Sequence, residues 1–437
     1  MSVSDGTRVA KGNRQEEIPL MEQVVSSQNM RVAYERVYSN KGSAGIDGMT
    51  VGQLKTYLQI NWTKIKSDLL TSNYYPQGVK SVKIPKASGG ERELGIPTVL
   101  DRLIQQALHQ VLSPLYEPEF SDHSYGFRPE RSAHQALRKA QSYIREDKRY
   151  VVDIDLSKFF DEVDHNRLLS KLRMRVEDKR VIHLIDRYLR AGMMRNGVEE
   201  KRMKGTPQGS PLSPLLSNIV LDELDKELEN RGLSFVRYAD DFQIYVRTKR
   251  SAERVMTSVS KFINQKLKLK VNEKKSAIGR PWNRDFLGYS FTTDKAIKLK
   301  PSKTSLKRLK GKVKEKFRQG KGRNLGKFIR EELNPLLKGW INYFSLSETR
   351  GFAKELDSWL RRRLRKVRWQ QWKRSWTRFN ELMRRRLSEE RAVQSAFNKR
   401  GPWWNAGASH MNQAYPKQYF DKLGLANLEH RLNHHNR

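Results

Sequence analysis

The stretch Phe235-Val236-Arg237-Tyr238-Ala239-Asp240-Asp241-Phe242-Gln243-Ile244-Tyr245-Val246 decides how the rest of the chain is read. Two apolar runs broken by two adjacent acids predict a β-hairpin with carboxylates at its tip. A second apolar stretch, Tyr150-Val151-Val152-Asp153-Ile154-Asp155-Leu156, predicts a strand that also carries acids. A carboxylate in an apolar strand is costly without a partner. If the two strands meet, Asp155, Asp240 and Asp241 repel one another unless a cation sits between them. Hard divalent cations take oxygen ligands, and magnesium suits carboxylate together with phosphate. Two such ions ~4 Å apart stabilise both oxygens of a phosphoryl transfer.

Outward from these strands, the pattern mixes helices and strands without regular alternation, which reads as α+β. Val79–Pro85 and Arg92–Ile96 flank Gly89-Gly90 as strand, turn, strand. Val99–Leu112 and Ser132–Ile144 read as amphipathic helices, with Ser132 a cap for the second. Met21–Leu58 reads as helix interrupted by the glycine-rich loop Lys41–Gly48. A short strand is expected over Phe286–Phe291, then long basic helices to about Leu387. No internal repeat is visible.

The 437 residues carry 86 Lys+Arg against 48 Asp+Glu, a formal net charge of +38. Of this, +25 falls between Phe291 and Arg437. Such a charge points to a polyanion, most often nucleic acid. The absence of cysteine excludes disulfides, thiolate zinc sites, iron–sulfur clusters and a cysteine nucleophile. No apolar run approaches the ~20 residues of a membrane span. The polar stretch Met1–Leu20 lacks the apolar centre of a signal peptide. The expectation is a soluble intracellular protein with no membrane partner, cytoplasmic and held to the nucleoid through nucleic acid.

Six blocks in order resemble the bacterial group II intron-encoded reverse transcriptases and maturases. Tyr238-Ala239-Asp240-Asp241 resembles the Tyr-x-Asp-Asp box. Val152–Asp161 and Gly205–Leu216 resemble the first two palm motifs. Leu94–Arg102 and Ser124–Pro129 are similar to fingers blocks, and Leu336–Phe344 to the thumb. The compact C-terminus looks most like the class C intron proteins. The resemblance implies a right-hand polymerase fold, with fingers and an antiparallel palm sheet followed by an α-helical thumb, or maturase domain. The implied divisions are 1–20 tail, 21–78 N-terminal extension, 79–295 fingers and palm, 296–387 thumb, and 388–437 a small DNA-binding region. Many relatives continue into a cysteine-containing endonuclease domain. Its absence here implies no target cleavage by this chain.

The resemblance also assigns roles. Asp155, Asp240 and Asp241 are catalytic and hold two magnesium ions, with manganese as a substitute; Asp153 is structural. Lys86, Arg92, Phe160, Gln208, Gly209 and Lys275 bind the nucleotide. The Phe160 ring lies under the sugar and selects deoxynucleotides, and Lys275, with Lys274 as its competitor, assists the leaving pyrophosphate. Arg128, Arg361, Arg362, Arg365, Arg368 and Lys373 bind nucleic acid. The apolar stripe Leu356, Trp359, Leu360, Leu364, Val367, Trp369, Trp372, Trp376 and Phe379 is read as thumb core. The loop Lys41–Gly48 packs over the template strand. The implied partners are a group II intron RNA, an RNA template with a DNA primer, target DNA and deoxynucleoside triphosphates. The implied function is RNA-directed DNA synthesis with promotion of splicing and retrohoming. Two alternatives are a maturase without polymerase activity, and a reverse transcriptase recruited to defence or CRISPR adaptation.

Overall fold

The structure, a computed structural model, describes residues 18–85, 90–195, 198–200, 203–319 and 324–435. The chain forms two compact units. The first comprises residues up to Ala136 together with Val152–Ile278; the second comprises Leu137–Val151 and Gly279 onward. Among the described residues no helix is long and apolar enough to cross a membrane.

The first unit begins with helices α1 (Leu20–Val24), α2 (Ser27–Ser39) and α3 (Leu54–Leu70). Strands β1 (Val79–Pro85) and β2 (Glu91–Ile96) form the expected antiparallel hairpin, with Lys80 opposite Ile96 and Pro85 opposite Glu91. Helix α4 (Val99–Tyr116) follows, its first turn capped by the Thr98 hydroxyl, which accepts from the Asp101 amide at 3.1 Å. It buries Leu103, Ile104, Ala107, Leu108 and Leu112 on one stripe. The loop Lys41–Gly48 docks where α4 starts: Arg102 donates to the Ser43 carbonyl, and a Cβ on Gly45 would lie 2.7 Å from the Thr98 Cα. Helix α5 (Ala133–Arg145) opens on a reciprocal cap, with the Ser132 amide donating to the Gln135 side chain and the Gln135 amide to the Ser132 hydroxyl.

After β3 (Tyr150–Ile154) come α6 (Phe159–Glu162), α7 (His165–Arg173) and α8 (Lys179–Arg190), then the short strands β4 (Met193–Arg195) and β5 (Val198–Glu200). These two strands complete a sheet of order β2-β1-β4-β5. Helix α9 (Ser213–Asn230) is buried nearly all round. Strands β6 (Ser234–Tyr238) and β7 (Asp241–Val246), helix α10 (Lys249–Phe262) and strand β8 (Ala277–Gly279) complete the set. A second sheet has the order β6-β7-β3-β8. It therefore sets the acid-bearing β3 directly beside the acid-tipped hairpin, as the two apolar stretches predicted.

The hairpin tip is held from below. Tyr238 pairs with Asp241, so the turn has two residues, and Ala239 takes the left-handed conformation at φ +59°. A non-glycine residue holds that geometry only when its surroundings fix it. Arg237 does so. It is 0% exposed and its Nε donates to Asp225 of α9 at 2.7 Å; Asp225 is also 0% exposed. Its Nη1 donates to the Ala239 carbonyl and to the Asn218 side chain, each at 3.0 Å. Asn218 in turn donates to the Gly126 carbonyl at 2.9 Å. Gly126 lies so close behind the turn that a Cβ there would be 2.2 Å from the Ala239 nitrogen. The segment through Ser124 bridges the open edge of β6, with the Tyr125 amide donating to the Arg237 carbonyl at 2.8 Å.

The second unit takes in α5 from Leu137 onward and, after Gly279, the hairpin β9 (Tyr289–Phe291) and β10 (Leu299–Pro301). Helices α11 (Lys303–Gln319), α12 (Leu325–Phe328), α13 (Asn334–Tyr343), α14 (Gly351–Gln371), α15 (Ser375–Met383), α16 (Glu389–Ala396), α17 (Pro402–Gly407), α18 (Ser409–Ala414), α19 (Lys417–Lys422) and α20 (Leu428–His435) follow. One core runs from Leu309 to Leu432 and includes Ala392, Met411, Tyr415 and Phe420. Residues beyond 387 pack into the same core as α14. Two side chains tie this segment down. Asp357 of α14 accepts from the Leu428 and Glu429 amides at the start of α20, both at 3.1 Å. Asn334 accepts from the Ala426 amide at 2.9 Å.

Removing one partner of a buried ion pair leaves an uncompensated charge, worth about 3–5 kcal/mol. Asp225→Ala should therefore lower unfolding free energy by about that amount in urea denaturation; a loss under about 1 kcal/mol would contradict the role given to Arg237. Gly126→Ala, an overpacking change, should cost about 1–3 kcal/mol in the same assay. No cost would mean that Gly126 does not press on the turn.

Candidate active site

Asp155 lies just past the end of β3 and is held through backbone and side chain by the segment Asn272–Ser276. Its amide donates to the Ser276 hydroxyl at 3.0 Å, and its carbonyl accepts from the Asn272 amide at 2.8 Å. One carboxylate oxygen accepts from the Asn272 side chain at 2.9 Å, and the other faces the Lys275 ammonium at 3.4 Å. Of the two lysines weighed for this position, Lys275 is the one brought to the carboxylate.

Asp240 and Asp241 stand at the tip fixed by Arg237. Asp241 keeps an open edge, yet the protein behind it removes enough water to push its pKa up to about 6. Desolvation is the largest cause, followed by repulsion from Asp240, Asp153 and Asp155, with Lys275 opposing. The four acids therefore share one field. Among the described residues no three such side chains are already drawn together closely enough to hold a metal ion. The donor set nevertheless fits one: hard oxygens only, mutually repelling, with a lysine cation lying against Asp155.

Phe160 sits in α6, which begins after Lys158 in the left-handed conformation at φ +49°. That turn swings the chain away from β3 and leaves Phe160 8% exposed, edge-on to Phe159 at 5.3 Å. Gly205–Gly209 is tied to the same turn. The Thr206 amide donates to the Phe160 carbonyl at 2.6 Å, and a Cβ on Gly205 would lie 2.7 Å from that carbonyl. At the other end of the segment, the Gly95 amide donates to the Gln208 carbonyl at 2.9 Å, and Arg92 Nε donates to the Gln208 side chain at 2.5 Å. Gly209, at φ +113°, keeps backbone accessible there. So Arg92, Gln208 and Gly209 form one group beside the β1–β2 hairpin. Lys86 lies outside the described residues.

Two of the residues expected to bind nucleic acid, Arg128 and Arg365, are buried, and two more, Arg362 and Arg368, are half-buried and contact the protein. Arg128 is buried; it pairs with Glu117 at 2.8 Å and donates to the Ser121 and Ser124 carbonyls. It pins the loop behind the hairpin tip rather than reaching a template. Arg365 is also buried, donates to the Tyr415 carbonyl at 2.9 Å, and has its pKa pushed down to about 10 by burial, with Arg361 adding to the effect. Arg368 donates to the Tyr419 hydroxyl at 2.8 Å. Arg362 lies 4.2 Å over the Trp403 ring and donates to its carbonyl. Guanidinium planes stack on aromatic faces and long stems cover apolar surface. That is why the arginines of α14 hold the C-terminal helices. Arg361 is half-buried and Lys373 is exposed.

The positioning residues were not anticipated from sequence. Asn218, Asp225 and Arg237 fix the tip, and Asn272 and Ser276 fix Asp155. One signal was available: an arginine inside the apolar run Phe-Val-Arg-Tyr demands a buried acid.

Residues 84–291 match the family model described as reverse transcriptase (RNA-dependent DNA polymerase), and residues 306–386 the one described as group II intron, maturase-specific domain. Protein YkfC of Escherichia coli is 33% identical over 280 residues, 55% of this chain and 74% of that protein. The group II intron-encoded protein LtrA of Lactococcus lactis is 32% identical over 355 residues, 66% of this chain and 58% of that protein. A chain of a partial Cas6-RT-Cas1–Cas2 complex is 25% identical, covering 57% of this chain and 43% of its own, at a TM-score of 0.38 too low to bear on the fold. With a reverse transcriptase domain carrying the carboxylate site and a maturase-specific domain in the helical unit, the chain belongs to the group II intron-encoded reverse transcriptase and maturase family.

Proposed function

We propose that this protein extends a DNA primer on an RNA template with deoxynucleoside triphosphates, and that it binds a group II intron RNA to promote splicing and retrohoming. The observation that supports the polymerase reading is the strand order that sets β3, with Asp155 just past its end, beside the hairpin whose tip carries Asp240 and Asp241, with Lys275 against Asp155.

In this reading Asp155 and Asp240 hold two divalent cations, magnesium by preference, and Asp241 completes the acidic wall. Bound there, the ions neutralise charge on the attacking 3′-oxygen and on the departing pyrophosphate. The chain supplies the rest. Lys275 carries a positive charge and a proton to the edge of the site, where the pyrophosphate oxygen leaves. Arg92, exposed and fork-shaped, pairs with the triphosphate once it releases Gln208. Gly209 leaves backbone open to the incoming nucleotide. Phe160, fixed by the Thr206 amide, closes the floor under the sugar and excludes a 2′-hydroxyl. Asp225 and Arg237 touch no substrate; they keep Asp240 and Asp241 at one height through the turn.

A DNA primer annealed to RNA should be extended with magnesium and deoxynucleotides, and Asp240→Ala should reduce the rate by about 10³-fold or more, as expected for several kcal/mol of lost charge stabilisation. Retained synthesis in that variant would remove Asp240 from the site. Phe160→Ala should raise incorporation of ribonucleotides relative to deoxynucleotides by about tenfold or more, the scale of one steric contact. An unchanged ratio, read in single-nucleotide incorporation, would leave Phe160 as core alone.

A further inference from the structure

The apolar stripe expected to run unbroken through Trp376 does not. Helix α14 ends at Gln371, and Trp372 leaves helical geometry at ψ +81°. Trp369 and Trp372 remain in the core. Trp376, in the first turn of α15, is 66% exposed. It meets Phe379 edge-on at 5.7 Å and Phe397, at the end of α16, edge-on at 5.5 Å. Phe397 is itself 46% exposed, and Val393, one turn earlier on α16, is exposed beside it. Large apolar side chains this open, grouped on one surface, are the pattern of an interaction site.

Charge around the cluster narrows that explanation. Lys373 and Arg374 precede Trp376, and Lys399 and Arg400 follow Phe397; all four are exposed. None has an acidic partner among the described residues; Arg400 instead lies 5.3 Å over the Trp404 ring. The acids of the two helices sit elsewhere. Glu381, farther along α15, is held by Arg384 and Arg385, while Glu389 and Glu390 occupy the opposite end of α16. Rings with open faces, flanked by unpaired cations, suit a polyanion whose bases are free to stack. Paired bases hide their faces, whereas RNA loops and single strands display them. Trp376 and Phe379 also fall within the segment that matches the maturase-specific domain.

We propose that Trp376 and Phe397, with Phe379 behind them and Lys373, Arg374, Lys399 and Arg400 around them, form a stacking platform for an unpaired RNA segment. The proposal rests on the RNA-binding half of the function above and assigns it to a surface. It replaces α14, whose arginines Arg362, Arg365 and Arg368 are engaged within the protein, as the place where the helical unit contacts RNA.

The test measures binding of a fluorescein-labelled 12-nucleotide oligouridylate and of a blunt 12-base-pair RNA duplex by anisotropy, using the full chain. Trp376→Ala should weaken oligouridylate binding about tenfold, the scale of one lost base stack, and leave duplex binding within twofold. The slope of affinity against salt should not change, because no cation is removed. Trp376→Phe should restore most of the affinity. Equal losses on both probes, no loss on either, or a loss confined to an oligothymidylate control would overturn the proposal. A shift in sedimentation of the wild type relative to Trp376→Ala would also overturn it, assigning the patch to self-association. Primer extension by the same variants reads the polymerase separately: failure of the wild type there would strike the proposed function and leave the binding result standing.

Discussion

The ion pair between Arg237 and Asp225 is the constraint on which the site rests. Both side chains are sealed from water, and together they link α9, the tip of the β6–β7 hairpin and the loop through Gly126. Without the guanidinium, nothing printed in the sequence would favour a left-handed alanine between Tyr238 and Asp240. With it, two carboxylates project from a turn that has little freedom to move. A buried pair of this kind adds little net stability over an apolar replacement, but it fixes one geometry, and any single-partner loss is severe. Specificity of position is the benefit a catalytic turn needs.

Left-handed backbone and repelling acids meet at this site. Left-handed backbone at Lys158 and Ala239, glycines at 126, 205 and 209 and a raised carboxylate at Asp241 all lie within the segments that meet here. Local sequence rules fail at these points because the requirement is not local. Ala239 is not a turn former by propensity, and Gly126 is needed only because another strand passes behind it. Where a chain brings acids together against their preference, it does so for a ligand that reverses the preference.

Strands β1, β2, β3, β6, β7 and β9, the α+β class and the acid-bearing hairpin were legible in the sequence because they are written in alternation, in short apolar runs and in turn chemistry, whereas the three-residue strands β4, β5, β8 and β10 carry too little pattern to be read. The capping of Ala133–Arg145 by Ser132 was legible for the same reason, while the reciprocal bond from Gln135 was not foreseen. Two things were not. The partners of Arg237 lie 12 and 19 positions away, on a helix that mixes apolar residues with several acids and amides, and only folding brings Asp225 and Asn218 under the turn. The arginines of α14 read as a nucleic-acid-binding face, since periodicity reports where apolar residues point and not what covers the others. The structure lays Tyr415, Trp403 and Phe420 against them. Trp376 fails in the opposite sense: helical spacing carried it into the core, but the chain turns at Trp372.

The central claim is that Asp155, Asp240 and Asp241 form a two-cation site held by the hairpin and by Asn272–Ser276. Anomalous diffraction from crystals grown with manganese, an RNA–DNA primer–template and a non-hydrolysable deoxynucleotide addresses it most directly. The account predicts two peaks about 4 Å apart, bounded by Asp155 and Asp240, with Lys275 withdrawn from Asp155. Peaks away from these carboxylates, or none while the nucleotide is bound, would contradict it.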